Sequence, residues 1–474
     1  MPVYQQAAQR VAEMLVPTLR LGVTGLARSG KTIFITALVR NLINGGHLPF
    51  FHPYAEGRIL RAYLEPQPDD SVPRFDYEAH IAKLSADPPC WPESTRRISQ
   101  LRLTIEYTPA SLWRRMLGLS RLHVDIVDYP GEWLIDLPLV DMDYTAWAES
   151  ALTAARDPRR AAAAKPFLTF LEGISADAPQ DEQIAATGAR LFTDYLRAVR
   201  SSESPITLGP GRFLMPGDLE GSPLLTFFPL ETTGAAMARG SLAAMMSRRF
   251  ASYKSHVVTP FFRDHFSRLD RQIVLVDVLG ALNAGPEAVS DLEQALADVL
   301  RVFRPGAPTW LSAILGRRID RLVFAATKAD HLPSSSHDRL EAVLRLITQR
   351  ANVRAQTAGA DTEILAIAAL RATREAEARD GKDRIPCIVG VPMAGERING
   401  TVFDGTREAA IFPGDLPADA GRALDVTAPA SNPSRFVRFR PPRLAPPGPG
   451  GETPSAPHIR LDRALDYLIG DYLA

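Results

Sequence analysis

The sequence predicts an α/β fold: a mostly parallel sheet with helices on both faces, interrupted by a largely helical insertion. Three observations predict it. Apolar strand-like runs recur at Arg20–Val23, Leu101–Thr108, His123–Asp128, Ile273–Asp277, Leu322–Ala326 and Ile364–Ala368, and helical patterns separate most of them. A glycine-rich stretch, GLARSGKT at Gly25–Thr32, joins the first run to a helical pattern. Between Asp136 and Leu269 the texture turns to Ala, Leu and Arg at helical spacing, with few β-branched runs apart from PLLTFFPL at Pro223–Leu230.

The elements follow in order. Residues 1–19 read as an N-terminal helix, 20–135 as the first part of the core domain, 136–269 as the insertion and 270–474 as the second part of the core. The runs Leu101–Thr108 and Leu122–Asp128 are separated by a short connection, which suits an antiparallel pair rather than a crossover. In the insertion, Ala186–Arg200, Leu242–Lys254 and Phe261–Leu269 carry helical spacing. The stretch Pro442–Pro457 is rich in Pro and Gly and reads as loop or linker. The chain closes on Ile459–Leu473, where Leu461, Ala464, Leu465, Leu468 and Ile469 mark one helical face.

Bulk properties bound the function. The 474 residues suffice for two to four domains, and 46% hydrophobic with 23% charged residues is ordinary for a globular chain. Lys+Arg and Asp+Glu are 54 each, so no global basic field argues for nucleic acid. Two cysteines, Cys90 and Cys387, form no CxxC pair and no disulfide framework, which fits a reducing compartment. The nine histidines show no metal-ligand spacing. The N-terminus lacks the charge and apolar run of a signal peptide, and no apolar stretch is long enough to span a membrane. The expected location is cytoplasmic.

GLARSGKT has the spelling GxxxxGK[ST]. Gly25 and Gly30 allow the backbone to turn amides toward phosphate oxygens, and Arg28, Ser29 and Gly30 lie on that turn. The following helix adds the partial positive charge of its N-terminus; Ile33, Phe34, Ala37, Leu38 and Ile43 are its apolar positions and Asn44–Gly46 its stop. Lys31 supplies an ammonium to the β- and γ-phosphates, and Thr32 a hydroxyl to Mg²⁺.

Two DxxG sequences follow strands: DYPG at Asp128–Gly131 and DVLG at Asp277–Gly280. The first is chosen because it closes the expected antiparallel pair; Asp128 then serves Mg²⁺, Gly131 offers its N–H to the γ-phosphate, and Asp277 is structural. TKAD at Thr327–Asp330 follows another strand. The Asp330 carboxylate can accept from guanine N1–H and the 2-amino group, donors adenine does not offer, and the Lys328 stem can lie across the base. Thr327 supplies a hydroxyl where an Asn amide is commoner. After the last strand run, Ala368-Ala369 stands where the last base-contacting loop is expected; the Ala369 N–H can reach guanine O6, and a plain buried strand end is the other reading.

Together GLARSGKT, DYPGEW, FFRDHFSRLDRQIVLVD, NAGPEA, TKAD and PHIRLDRALDYL resemble the YcjX-like family, a bacterial P-loop GTPase-like group associated with stress responses. The resemblance runs from about Arg20 to the C-terminus. It implies a GTPase-type core interrupted by a family-specific helical domain, and coupling to a partner among inner-membrane stress systems.

Hydrolysis needs a positioned water and stabilised charge. Glu132 occupies the position after the DxxG glycine; it is either a water-positioner in a slow site or a residue turned elsewhere, because its charge repels the γ-phosphate. Arg28 can stabilise charge in cis or face solvent. Thr95 in PEST, Pro92–Thr95, is the expected second Mg²⁺ hydroxyl, with a helix or turn cap as its other reading. Ser111–Arg121 and Trp310–Ile319 mix apolar residues with paired arginines, which suits a peripheral membrane or partner contact or a packed face with solvated arginines. Arg435–Arg443 reads as an edge strand rather than a nucleic-acid surface, since prolines follow. The leading expectation is a Mg²⁺-dependent GTP/GDP-binding switch that hydrolyses GTP slowly. A nucleotide-gated interaction module without turnover, and a P-loop ATPase, are the alternatives.

Overall fold

The computed structural model describes residues 16–26, 28–93, 97–111, 120–201, 209–232, 237–299, 319–380, 383–398, 400–416, 418–423, 436–445 and 454–474. β1 (Thr18–Gly25) feeds through the glycine loop into α1 (Lys31–Ile43). α1 stops at Asn44, and Gly45 follows in the left-handed region at φ 63°. β2 (Ile59–Glu65), α2 (Tyr77–Ser85), β3 (Ser99–Tyr107) and β4 (Ser120–Asp128) come next. A 3₁₀ segment at Gly131–Asp141 leads into the helical stretch: α3 (Tyr144–Ala155), α4 (Ala161–Glu172), α5 (Glu182–Ser201), α6 (Leu242–Tyr253), a π turn at Lys254–Val258 and α7 (Thr259–Asp264). The core resumes with β5 (Arg271–Val276), α8 (Val278–Ala284), α9 (Pro286–Val299), β6 (Arg321–Ala326), α10 (His337–Ile347), α11 (Gln349–Thr357) and β7 (Asp361–Ala366). β8 (Arg374–Asp380), β9 (Asp383–Gly390), β10 (Arg397–Ile398), β11 (Thr401–Val402) and β12 (Ala409–Ile411) form small side sheets, and α12 (Leu461–Ile469) closes the chain.

The main sheet has seven strands in the order β2-β3-β4-β1-β5-β6-β7. β4, β1, β5, β6 and β7 run parallel, while β2–β3 and β3–β4 are antiparallel. The α/β class and the antiparallel pair therefore stand as the sequence predicts. Parallel strands share one carboxyl edge, so the loops after Gly25, Asp128, Val276, Ala326 and Ala366 gather there, where ligands of such sheets bind.

Apolar side chains divide between the two faces. On one face α1 and α12 cover the sheet, with Phe34, Leu38, Leu465 and Leu468 packed among Leu21, Leu103, Ile126, Ile273 and Val323. On the other, α9 and α10 share a continuous core with the helical stretch: Val274 and Phe324 of the sheet belong with Trp147, Phe192, Phe227 and Phe250. Trp147 stacks on Phe250 at 4.9 Å between centroids. Gly22 on β1 leaves the space that Leu269, at the end of the helical stretch, fills; a Cβ there would meet the Leu269 side chain. No helix among the described residues is long and apolar enough to cross a membrane.

Several expectations need correction. β1 begins at Thr18, two residues before the expected boundary, so Thr18 and Leu19 are strand rather than helix; residues 1–15 lie outside the described part. PLLTFFPL forms no strand. It makes a 3₁₀ turn at Pro223–Leu225, and then Phe227 and Phe228 turn into the core, held by the Tyr144 hydroxyl on Phe228 O (2.8 Å). The described part of Arg435–Arg443 makes a single bridge, Pro392 with Phe439, rather than an edge ladder, consistent with the prolines that follow. β2 escapes a pattern reading because, as an edge strand, it buries only Ala62 deeply.

Candidate functional site

The glycine loop is shaped by sterics. A Cβ on Gly25 would overlap the Ser29 hydroxyl and approach Leu275 O at 2.6 Å, so no other residue fits without displacing backbone. Arg28 and Gly30 take left-handed conformations, φ 65° and 86°, and the Ser29 N–H closes a turn on Leu26 O (3.2 Å). The loop thus folds back on itself before α1 begins. Lys31 lies along it and donates from Nζ to Gly25 O at 2.7 Å, with 9% of the residue exposed. The Thr32 hydroxyl faces Glu93 O at 3.5 Å, which brings the segment preceding β3 to the mouth of the loop. Thr95 lies outside the described residues. The Arg28 side chain is exposed. Ser29 Oγ is buried against Gly25 and makes no hydrogen bond with a described residue.

The loop after β4 is seated on this one. Val23 and Asp128 are paired in register, and Asp128 is 1% exposed. A Cβ on Gly131 would overlap the Gly25 carbonyl and come within 3.0 Å of Leu26 N. The two glycines are therefore in backbone contact, and DYPG is packed against GLARSGKT. Behind them, the Tyr129 hydroxyl hydrogen-bonds Thr24 Oγ1, and Gln272 Nε2 donates to Thr24 Oγ1 at 2.6 Å. This buried trio ties β1, the start of the Asp128 loop and β5 together; burial pushes the Tyr129 phenol far above its ordinary pKa. The other DxxG aspartate is committed elsewhere. Asp277 caps α8, accepting from Gly280 N at 3.0 Å, and pairs with Lys328 Nζ.

The third loop follows β6. Thr327 donates from N and Oγ1 to Val276 O (3.0 and 3.3 Å), which fixes the loop to the end of β5. Lys328 is left-handed at φ 62°, with its ammonium on Asp277. Asp330 is buried, and one carboxylate oxygen accepts from Ala372 N at 2.8 Å. Ala368 exchanges both backbone hydrogen bonds with Ile459, so its N–H is occupied; the Ala369 N–H makes no hydrogen bond with another described residue. Thus the structure brings the three motif loops to one edge of the sheet, with Thr327, Lys328, Asp330, Ala368 and Ala369 beyond β5 and the phosphate-loop residues beside β4.

In the segment after Gly131, sequence reasoning singled out Glu132 but missed its partner and the residues that follow. The segment's side chains are held by the helical stretch. Glu132 is buried and accepts from Arg200 Nη2 on α5 at 2.6 Å. Trp133 donates from Nε1 to Met215 O (3.0 Å) and lies under the Arg212 guanidinium, 3.1 Å from the ring centroid. Asp136 is fully enclosed, accepting from Gly211 N at 2.6 Å and from the Tyr253 hydroxyl at 2.5 Å. Burial pushes its carboxyl up to about 6, and these two donors with the Arg212 charge hold it from rising further. The one local signal for this cluster is an acid, Asp136, inside the apolar run WLIDLPLV. Its partners stand 75 and 117 positions away and leave no local trace.

The set fits a magnesium nucleotide. The closely packed backbones of Gly25 and Gly131 hold the two loops together, Ser29 Oγ lacks a partner among the described residues, and an ammonium, a hydroxyl and a carboxylate (Lys31, Thr32, Asp128) stand on these loops at the carboxyl edge of β1 and β4. Among the described residues no cluster of His, Cys, Asp and Glu could hold a metal by itself, so an ion at Thr32 and Asp128 would need phosphate oxygens as well.

Comparison with known proteins agrees with this geometry. The YcjX-like family, DUF463, matches residues 19–473. The chain is 38% identical over 468 residues to "Ras-like GTPase YcjX" of Escherichia coli (strain K12), covering 96% of each chain. It is 33% identical over 477 residues to the protein of that name from Shewanella oneidensis, covering 96% of this chain and 94% of the relative.

Proposed function

The chain belongs to the YcjX-like family, and from that premise we propose that it binds GTP and GDP with Mg²⁺ and hydrolyses GTP slowly, as a nucleotide-driven switch. The observation that carries the reading is the seating of Gly131 on Gly25, which puts a carboxylate loop against a phosphate loop. Backbone amides of Gly25–Thr32 and the N-terminus of α1 hold phosphate oxygens; Lys31 adds an ammonium to the β- and γ-phosphates. Ser29 Oγ gains the acceptor it lacks. Thr32, Asp128 and Thr95 would hold the Mg²⁺, which supplies charge neutralisation across the phosphates when bound. Gly131 N–H meets the γ-phosphate, so loss of that group frees the segment that follows. That segment is gripped by α5, α6 and the 211–215 turn, so its movement is transmitted to the helical stretch. Asp330 selects guanine, Lys328 covers the base, and the Ala369 N–H reaches O6. A stress-response setting, with a partner at the inner membrane, follows from the family resemblance.

Titration of purified protein with fluorescent GTP and ATP analogues tests the site. Lys31→Ala should weaken GTP binding about 10- to 100-fold, the value of one lost charge-assisted contact. Asp330→Asn should move preference from guanine toward xanthine nucleotides. Undiminished GTP affinity in the lysine variant, or tighter binding of ATP than GTP in the wild type, would overturn the assignment. A carboxylate, Glu132, in the position after Gly131 favours one second reading, a nucleotide-gated interaction module; GTP binding without phosphate release would select it.

A further inference from the structure

Position 132 poses a problem that the structure answers. A carboxylate next to a γ-phosphate is repelled, and an isolated charge at this depth carries a large desolvation cost. Yet Glu132 is buried directly after Gly131, and Gly131 is in contact with Gly25. Its backbone is fixed from the other side as well, since a Cβ on Gly211 would overlap the Glu132 carbonyl. The residue is held in place at both ends of its peptide. Its carboxylate meets Arg200 through a single hydrogen bond, Nη2 to Oε1 at 2.6 Å, not through a two-pronged fork. Arg200 sits in the last turn of α5 with 24% of its side chain exposed, so the guanidinium reaches inward from the helical stretch.

We propose that Arg200 is a positioning residue for GTP hydrolysis. Its charge cancels that of Glu132 and its hydrogen bond anchors Oε1, so that Oε2 can accept from the attacking water without driving off the γ-phosphate. The water oxygen forms the new bond to the γ-phosphorus as the bond to the β–γ bridging oxygen breaks. The electron pair leaves with GDP. One water proton stays on the released phosphate and the other passes to solvent; Glu132 orients the water and ends unchanged. The helical stretch thereby completes the hydrolytic site of the core. This rests on the GTP-hydrolysing reading above.

The test uses full-length protein preloaded with GTP and Mg²⁺, with phosphate release and GTP affinity measured side by side. Arg200→Ala should slow phosphate release about 10- to 100-fold, the scale of a misplaced reacting group, with GTP affinity within about 2-fold of wild type. Arg200→Lys should recover part of the rate. The distinguishing arm is Glu132→Gln: a neutral amide needs no cancelling charge and keeps only the need for an anchor at Oε1, so adding Arg200→Ala to it should slow release distinctly less than the same change does in the Glu132 protein. Equal losses from Arg200→Ala with and without the Glu132→Gln change would show that Arg200 merely supports α5. A rate unchanged or raised by Arg200→Ala would show that the pair draws Glu132 away from the water, and would overturn the proposal while leaving GTP hydrolysis intact. Wild-type protein that binds no GTP, or binds it and releases no phosphate, would remove the hydrolytic reading and this inference with it.

Discussion

Asp136 shows how far a single carboxylate depends on its surroundings. Burial raises its pKa to about 6, from an ordinary 3.8, so the folded state binds a proton more tightly than the unfolded chain. Folding therefore draws stability from protonation at low pH, and that part is lost as pH rises from about 4 to about 6. The shift corresponds to about 3 kcal/mol over that window, opposite in sign to a salt-bridged aspartate. Asp136→Asn cannot titrate, so its denaturation free energy should lack this fall; identical pH slopes for the two proteins would contradict the assignment. At neutral pH the same substitution must turn an amide N–H₂ toward either Gly211 N or the Tyr253 hydroxyl. In wild type both of those groups donate. Gly131 makes a complementary point at this scale. Its neighbour is the backbone of Gly25, which cannot swing aside, so Gly131→Ala should cost about 1–3 kcal/mol and weaken GTP binding as the two loops part.

At the scale of elements, the two DxxG aspartates separate by what their strands do next. β4 ends beside β1 and enters the 3₁₀ segment packed on the glycine loop; β5 ends in the cap of α8. Asp277→Ala should therefore lower stability by about 1–2 kcal/mol, as a lost cap does, and leave most GTP affinity in place. Asp128→Ala should leave the fold and weaken Mg²⁺-dependent binding. Equilibrium denaturation and nucleotide titration of the pair check this, and a reversed outcome would transfer the metal role to Asp277. The contrast also marks what was legible in the sequence. GLARSGKT, DYPG and TKAD could be read because strand, turn and helix start are dictated by neighbours a few residues apart. The preference for DYPG over DVLG rests on the expected antiparallel pair, β3 with β4, and that pair is present. Arg200, Arg212 and Tyr253 were not readable, because each meets its partner across 68 to 117 positions; Arg200 and Tyr253 lie in ordinary helical patterns and Arg212 in a four-residue turn. β8 escaped for another reason: REAEARD carries charges at alternate positions on a sheet edge, with no buried apolar face to give it away.

For the whole molecule, the question is whether the helical stretch is a passenger or part of the core. Its aromatic cluster is continuous with the sheet face bearing Val274, Phe324 and Leu322, and its last residue, Leu269, occupies the space above Gly22. An element that shares its apolar interior with the sheet has no separate interior to keep when the sheet unfolds. α12 lies on the opposite face, where Leu465 packs among Ile273 and Val323 of the same strands. Leu465→Ala leaves a cavity there and should cost about 2–5 kcal/mol. In a protein whose other tryptophans are replaced by Phe, Trp133 and Trp147 fluorescence reports on the far side of the sheet, and far-UV circular dichroism reports on all helices. Both signals should shift to lower denaturant by the same amount, with unchanged slope, although no atom of the helical stretch has been altered. A fluorescence midpoint that stays put while the dichroism midpoint moves would show a helical domain folding on its own. The grip on Glu132, Trp133 and Asp136 would then link two independent bodies rather than one. Coincident midpoints would mean that any nucleotide-driven shift of the Gly131–Asp141 segment is resisted by the full cooperative core, which favours small, discrete displacements over a swinging domain.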